Sequence, residues 1–304
     1  MAMHSQSLAH EDVDFCSSGD SDRLSKAMAE VVGLSIHEDY RGTLDLGKAQ
    51  AEVRFEPHQW LRISVAVDAP PDPHDALRNN HWLSGNLRYA GSSKHMMLVA
   101  DTQVNGVAHL AASLEEMRRG MADALGGQVW LRQIKSADGE KQAWAPDEPG
   151  QQKLETELNS LPFGPDSLVR RLSARGCGLW EIRPRIQSNV IPVLLDQLSD
   201  GVRLHRTLVS KPPTAHRDAI NDQALRLNKQ IRLCRLAWCG DELVAETLLN
   251  AELIETPWLT SATMAVAAAS HYAKNLLDAL AQHEHVASWY RALFCDQCPG
   301  SDLG

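Results

Sequence analysis

Cysteines and histidines cluster near the C-terminus of this chain. Cys295 and Cys298 have the two-residue spacing of a zinc or redox pair, and His283 and His285 lie just upstream. Four such side chains could hold a tetrahedral zinc ion. The pair follows the last repeated element of the chain, however, and no strand–helix–strand pattern surrounds it. We therefore expect residues 291–304 to form a C-terminal tail without a cofactor, and metal binding is the alternative.

Catalytic motifs are not found elsewhere in the sequence. There is no G-x-S-x-G nucleophile elbow, and neither glycine-rich phosphate loop, G-x-x-x-x-G-K-[ST] or G-x-G-x-x-G, occurs. His74 and His216 each follow a double proline, which favours a place at a helix N-terminus over paired acid–base catalysis. The sequence thus predicts a protein that is not an enzyme, with no catalytic, cofactor-binding or metal-binding residue.

The elements that would position any site occur twice. Leu98–Thr102 (LVADT) returns 145 positions later as Leu243–Thr247 (LVAET). Three further matches keep the same order, at offsets of 142, 148 and 155: PPDPH at 70–74 with PPTAH at 212–216, ALRN at 76–79 with ALRLN at 224–228, and DAL at 123–125 with DAL at 278–280. Ordered matches with small drifts indicate a duplicated unit. We expect the two copies to superpose with Leu98 on Leu243.

The repeat and the composition divide the chain into two domains. Residues 1–20 are polar, without periodicity, and are predicted to be a disordered tail. The charged, turn-forming stretch 136–157 predicts a linker, so the domains span 21–135 and 158–290. A chain of 304 residues is long enough for each domain to bury its own core.

Each domain has the same predicted order of elements: helix, three strands, helix, two strands, helix. Apolar spacing predicts the first helix over Leu24–Val32 in one domain and around Leu168 and Leu172 in the other. Alternating apolar and polar residues at 61–67 and 202–209 predict strands with one buried face, which the double prolines end. The predicted fold class is α+β, with antiparallel sheets of five strands.

The last two strands and the last helix of each domain have clear boundary signals. Gly91 and Gly240 lie in the turns of predicted hairpins. Ser113 and Glu116 have the spacing of a capping box, which places the start of the closing helix at Ser113 in the first domain. Its buried face is predicted to contain Leu114, Met117, Met121 and Leu125.

Charge and hydropathy exclude several classes of partner. The formal net charge is −9, which disfavours binding to nucleic acid. The basic residues that come closest to a cluster are expected on the solvated face of a helix and a strand: Arg226, Lys229, Arg232 and Arg235. No apolar run reaches membrane-spanning length and the N-terminus lacks signal-peptide features, so we expect a cytoplasmic protein without membrane contact. Most of the six cysteines are expected to be free thiols, and structural disulfides are not expected.

Tryptophan is over-represented among the aromatic residues. There are eight tryptophans and four phenylalanines. Core packing explains most of them, and a few that are partly exposed would suit a peptide-binding surface, because an indole offers a large apolar body and an N–H donor.

The stretch Ala224–Thr247 resembles the type III secretion chaperone-like fold, which also includes a family of bacterial sensory-transduction regulators. In this stretch a helix containing Leu227-Asn228 leads into a hairpin with Gly240-Asp241 in its turn, and the second strand holds one acidic residue, Glu246. The first domain matches more loosely, because Asn79-Asn80 replaces the leucine–asparagine pair.

The resemblance implies small acidic α+β modules that dimerise and bind an extended segment of a partner protein. Two modules in one chain then imply a built-in pseudo-dimer, which is either a monomer or part of a homodimer. Its domains should meet through a sheet edge or through the middle helices around Ala76-Leu77 and Ala224-Leu225. We therefore expect a non-enzymatic protein- or peptide-binding module, related to a secretion chaperone or regulator. The alternative is a metal- or small-molecule-binding protein that uses the C-terminal histidines and cysteines.

Overall fold

The structure, a computed structural model, describes ten segments of the chain. They are residues 34–36, 41–56, 60–83, 85–103, 107–127, 148–162, 170–171, 179–198, 201–250 and 254–292. The predicted tail at 1–20, the predicted helix at Leu24–Val32, and Cys295 with Cys298 lie outside these segments.

Within the described segments, the first half of the chain contains an antiparallel sheet and two helices. The strands are β1 Leu34–Ile36, β2 Arg41–Asp45, β3 Gln50–Glu56, β4 Trp60–Ala66, β5 Arg88–Gly91 and β6 Met96–Gln103. Their order across the sheet is β1-β2-β3-β4-β6-β5. Helix α1 (Pro73–Asn80) connects β4 to β5, and α2 (Val107–Leu125) follows β6.

The second half begins with helix α3 (Glu148–Asn159) and contains a second sheet. The sheet strands are β7 Arg170–Arg171, β8 Leu179–Ile182, β11 Val193–Leu198, β12 Gly201–Ser210, β13 Arg235–Cys239 and β14 Glu242–Asn250, and β9 Arg185–Ile186 pairs with β10 Asn189–Val190 in a separate small hairpin. The order across the sheet is β7-β8-β11-β12-β14-β13. The remaining helices are a 3₁₀ turn Thr214–His216, α4 Arg217–Gln230, α5 Thr256–Gln282 and α6 Glu284–Tyr290.

The α+β class with antiparallel sheets is confirmed. Every strand pairing in the described segments is antiparallel. The order β2-β3-β4-β6-β5 in one sheet corresponds to β8-β11-β12-β14-β13 in the other. Each sheet has six strands and not the predicted five, because the short strands β1 and β7 extend its outer edge.

Three local predictions were wrong for identifiable reasons. Arg170 and Arg171 pair with β8, in a stretch where two leucines at helical spacing predicted a helix. The open edge of the sheet offers hydrogen-bond partners to the backbone, and this is a stronger determinant than the spacing of two apolar residues. Helix α2 begins at Val107, so Ser113 lies inside it and is not its cap. The two strands predicted at 179–185 and 190–196 are interrupted at Pro184 and Pro192, which cannot donate to a ladder.

The stretch expected to be a linker is partly helical. Helix α3 covers residues 148–159, and it buries Leu154 and Leu158, which are one turn apart. Pro149 occupies its first turn, where backbone N–H groups have no partner within the helix, so the missing N–H of proline costs no hydrogen bond. The prolines and charges of this stretch therefore mark a helix start as well as a boundary.

The buried face predicted for α2 is observed. Leu114, Met117 and Met121 are buried, and Leu125 packs against the core. Helix α5 contacts β12 and β14 of the second sheet, and its buried residues include Val266, Leu277 and Leu280. These long helices fix the position of the hairpin that each sheet presents to the other half.

Gly91 and Gly240 differ in what surrounds them, which gives a matched test of the two hairpins. Gly91 has φ +112°, and a Cβ there would overlap the carbonyl oxygen of His95. Gly240 has φ +61° with open space around it. We expect Gly91→Ala to lower the free energy of unfolding by about 3 kcal/mol and Gly240→Ala by about 1 kcal/mol, measured by urea denaturation. Equal losses would show that the first turn is not constrained as described.

Candidate functional site

The two halves of the chain meet where the helix before each hairpin packs on the hairpin of the other half. Helix α1 contacts β13, α4 contacts β5, and the two helices contact each other. Ala76, Leu77, Ala224 and Leu225 are buried in these helices. We call the six buried polar residues at this contact the junction: Asn80, Arg88, Asp101, Asn228, Arg235 and Glu246.

Two asparagines share the same pair of backbone carbonyls. The Asn80 side-chain amide donates to the carbonyl oxygens of Tyr89 and Leu236, at 3.2 and 3.1 Å. The Asn228 amide donates to the same two oxygens, at 3.2 and 3.0 Å. The Asn80 Oδ1 atom accepts from the Tyr89 N–H at 2.6 Å, and the Asn228 Oδ1 atom accepts from the Leu236 N–H at 2.7 Å. Each asparagine thus pairs with the edge of its own hairpin and with a carbonyl of the other.

Two arginines cross the contact in opposite directions. Arg88 donates through Nε to the Asn228 carbonyl at 2.7 Å. Arg235 donates through Nη1 to the carbonyls of Leu83, Gly85 and Leu87, at 2.8, 3.1 and 3.1 Å. Both side chains are fully buried. Arg88 also donates through Nη2 to the Ile231 carbonyl, so each guanidinium binds the loop that follows the asparagine helix of the other half.

Asp101 balances the charge of the buried arginine in the first half. Its Oδ2 atom accepts from Arg88 at 2.6 Å and from Arg62 at 3.2 Å. Its Oδ1 atom accepts from the backbone N–H of Leu233, in the second half, at 2.7 Å. Both oxygens of the buried Asp101 carboxylate thus have hydrogen-bond partners within the protein, and these partners come from both halves.

Glu246 has the corresponding role in the second half. It accepts from Arg235 at 2.9 Å and from Nδ1 of His81, in the first half, at 2.9 Å, and Arg203 lies 3.7 Å away. Burial raises the pKa of Glu246, but the charges of Arg235, His81 and Arg203 outweigh it and hold that pKa at about 2. The carboxylate is therefore ionised throughout the neutral range.

The acidic residues do not occupy equivalent strand positions, although their sequence motifs match. Tyr89 and Leu236 make the same backbone bond to their asparagines, so these two residues are equivalent in the two halves. Tyr89 pairs with Leu98 across its hairpin, and Leu236 pairs with Ala245. Leu98 thus corresponds to Ala245 and not to Leu243 as expected. The two-residue difference keeps side chains on the same sheet face, because the strand period is two, so both carboxylates still reach an arginine.

The predicted basic cluster is dispersed. Arg235 is fully buried, contrary to its predicted place on a solvated face, because α1 and the loop after it cover β13. Arg226 pairs with Asp222 at 2.6 Å, and Lys229 is exposed. Arg232 lies 5.1 Å above the ring of Trp60, in the other half. Sequence spacing could not show that two of the four, Arg232 and Arg235, contact the other half of the chain.

The histidines singled out by sequence are not brought together as a catalytic pair. His74 lies in the first turn of α1, where Asp72 caps the helix by accepting its N–H at 2.8 Å. His216 precedes α4, and its Nδ1 lies 2.8 Å from the carbonyl of Ala281. Both positions at helix N-termini agree with the sequence interpretation.

The C-terminal metal hypothesis stays a prediction. The rings of His283 and His285 are 5.7 Å apart at the start of α6, while both cysteines lie outside the described segments. Within those segments, no three histidine, cysteine or acidic side chains are close enough to share a metal ion.

A small pocket opens beside the junction, between α2 and α5. It encloses about 60 Å³ and is open on one side. Both halves line it; the lining includes Asn86, Leu87, Met117, Leu233, Leu249 and Trp258. We call it the junction pocket. A pocket of this volume can take part of one side chain and is too small for a nucleotide-sized cofactor.

Comparison with protein-family models, curated proteins and solved structures gives no match for this chain. Among the described helices, none combines the length and the apolar character that a membrane span needs.

His81 gives the junction a pH dependence. Burial lowers its pKa, but attraction to Glu246 and hydrogen bonds to Cys239 and Glu246 raise it to about 9 from 6.5. Because the pKa is raised, the stabilisation that protonated His81 gives to the folded protein is complete below pH 6.5. It decreases as the pH rises from 6.5 and is lost once the pH has passed 9. The shift corresponds to roughly 3 kcal/mol.

We therefore expect His81→Asn to destabilise the protein most at pH 6 and progressively less as the pH rises from 6.5 to 9, with no further change above 9. Urea denaturation of both proteins across this range measures the difference. His95→Asn is the control, because His95 is exposed. A difference between wild type and His81→Asn that does not change with pH would contradict the assignment of a protonated His81.

Cys234 and Cys239 are expected to differ sharply in reactivity. Burial raises the pKa of Cys234 to about 12, whereas Cys239 is exposed at the end of β13. Iodoacetamide at neutral pH should alkylate Cys239 in the folded protein and Cys234 only after addition of urea. Peptide mass mapping identifies the modified residue. Alkylation of Cys234 without urea would show that the junction opens in the native state.

Proposed function

We propose that this chain is a non-enzymatic, cytoplasmic protein-binding module, made of two copies of one α+β unit that pair as a pseudo-dimer. The equal order of five strands in the two sheets supports a duplication. Asn80 and Asn228 each donate to a backbone carbonyl of the other half, and so do Arg88 and Arg235; these reciprocal bonds support pairing about an approximate twofold axis. The resemblance to type III secretion chaperone-like modules is in keeping with this arrangement.

The observation that carries the proposal is the position of the junction pocket. Asn86 and Leu233 lie on its wall, as do Thr102 and Leu249. Both pairs are separated by 147 positions, the same offset that relates Tyr89 to Leu236 in the asparagine contacts. The pocket therefore lies near the proposed axis. Pockets at such interfaces are common binding sites.

Addition of a partner strand to a sheet edge is a less favourable mode for this fold. At the inner edges, the backbone groups of Tyr89 and Leu236 are already bonded to the asparagines, and helices α4 and α1 cover β5 and β13. At the outer edges, β1 has three residues and β7 has two. Such short strands offer few hydrogen bonds to an added strand. A partner segment is therefore expected to bind through side chains that enter the pocket.

Filling the pocket tests the proposal. Gly120 is buried in α2 and lines the pocket, and Gly120→Leu would occupy the space while improving helix propensity. Ala122→Leu is the matched control, because Ala122 is half-buried on the same helix away from the pocket lining. A phage-displayed library of random peptides is panned against wild type and both variants.

We expect peptides that bind wild type and Ala122→Leu but not Gly120→Leu. Circular dichroism and urea denaturation establish that both variants are folded. If no peptide is enriched on wild type, or if every enriched peptide binds Gly120→Leu equally well, the junction pocket is not a protein-binding site.

A further inference from the structure

The walls of the junction pocket select the part of a ligand that enters it. Leu87, Met117 and Leu249 are apolar, and Trp258 and Ala262 face the opening from α5. Burying one aliphatic side chain against such walls contributes about 1.5–3 kcal/mol. The entering group is therefore apolar and of about the size of a leucine side chain.

Polar groups at the base of the pocket are already engaged. The Asn86 side-chain amide donates to the carbonyl of Asp101, and the Asn86 carbonyl accepts from Arg88 at 3.0 Å. The Gly85 and Leu87 carbonyls accept from Arg235. These groups are fixed by the junction, and a polar ligand group would have to displace an existing hydrogen bond to bind them. This again favours an apolar group.

Glu116 supplies the one ionisable side chain in the pocket lining. It lies on the same face of α2 as Met117 and Gly120, and its Oε1 is 3.8 Å from the Cβ that a side chain at Gly85 would have. A carboxylate can accept several hydrogen bonds, so it can attract a cation in addition to contacts it already makes. The preceding residue, Glu115, is held by Arg118 and Arg119, at 2.6 and 2.9 Å. Glu116 is therefore the carboxylate that a ligand in the pocket would meet, in addition to the contacts that this side chain already makes.

We infer that the junction pocket takes an aliphatic side chain from a partner segment that carries lysine or arginine beside it, with Glu116 pairing with the cation. This rests on the proposed protein-binding function and specifies its partner. The chain has a formal net charge of −9, so a basic segment is also favoured at longer range. Surface ion pairs are individually weak, so the aliphatic residue supplies most of the affinity and Glu116 supplies the selectivity.

The test compares peptide pools selected by four proteins. The same phage-displayed random library is panned against wild type, Glu116→Lys, Gly120→Leu and the control Asp123→Asn. Asp123 is exposed on α2 outside the pocket lining, so its variant removes one negative charge from the same helix. The strongest wild-type peptide is then synthesised and its binding to each protein is measured by fluorescence polarisation.

We expect wild type and Asp123→Asn to enrich leucine, isoleucine or methionine next to lysine or arginine. Glu116→Lys should lose the basic preference and bind the wild-type peptide at least about threefold more weakly, with the difference decreasing at high salt. Gly120→Leu should not enrich these peptides.

The outcomes separate the two proposals. Peptides that need an open pocket but show no basic preference, or the same preference with Glu116→Lys, overturn the inference and leave the proposed function intact. Peptides that Gly120→Leu still binds overturn both. Enrichment of acidic or purely polar peptides by wild type also contradicts the inferred partner chemistry.

Discussion

The sharing of the Tyr89 and Leu236 carbonyls by Asn80 and Asn228 is the interaction on which the arrangement of the two halves depends. Each sheet ends at a hairpin strand whose outward backbone groups would otherwise face an apolar interior. A side-chain amide has one donor and one acceptor group in the geometry of a peptide, so each asparagine satisfies the strand edge as a neighbouring strand would. The second N–H of each amide then reaches the carbonyl of the other half. The same two residues thus close the edges and join the halves.

The buried arginines follow from this geometry. With the hairpin edges closed by asparagine, the loops after α1 and α4 leave carbonyl groups beneath the opposite half, and Arg235 and Arg88 bind them. A buried guanidinium without a counter-charge would be costly, so each arginine has a carboxylate, and removing one member of such a pair costs about 3–5 kcal/mol. The same arginines also bond to backbone carbonyls of the residues that line the junction pocket.

Much of the fold could be predicted from the sequence, and most of the candidate site could not. Strand alternation, double prolines and turn glycines are local signals, and they located both hairpins, with Gly91 at the end of β5 and Gly240 between β13 and β14. The junction contacts join residues far apart in sequence, for example Asn80 with Leu236 and His81 with Glu246. Propensity and periodicity carry no information about such pairs. One signal was present: an acidic residue within an apolar strand, repeated in both halves, is expensive unless it has a buried partner.

The same signal misled the register. Matching LVADT with LVAET aligned the acidic residues, but the hydrogen bonds align Leu98 with Ala245. A carboxylate can stand two positions further along one sheet face and still reach the arginine of its own half, as Asp101 and Glu246 do. An asparagine that takes the place of a neighbouring strand has only one such position. Backbone requirements therefore fix the register here, and sequence identity does not.

Native-state hydrogen exchange at three amides tests the central claim that the junction makes the two halves one cooperative unit. The N–H groups of Tyr89, Leu236 and Leu233 donate to Asn80, Asn228 and Asp101. They are compared with Ile63 and Leu204, in the central strands β4 and β12. If the account is right, all five exchange only through global unfolding and report the same free energy. Exchange of the three junction amides at a distinctly lower free energy, with the central strands still protected, would show that the halves separate before they unfold and would contradict it.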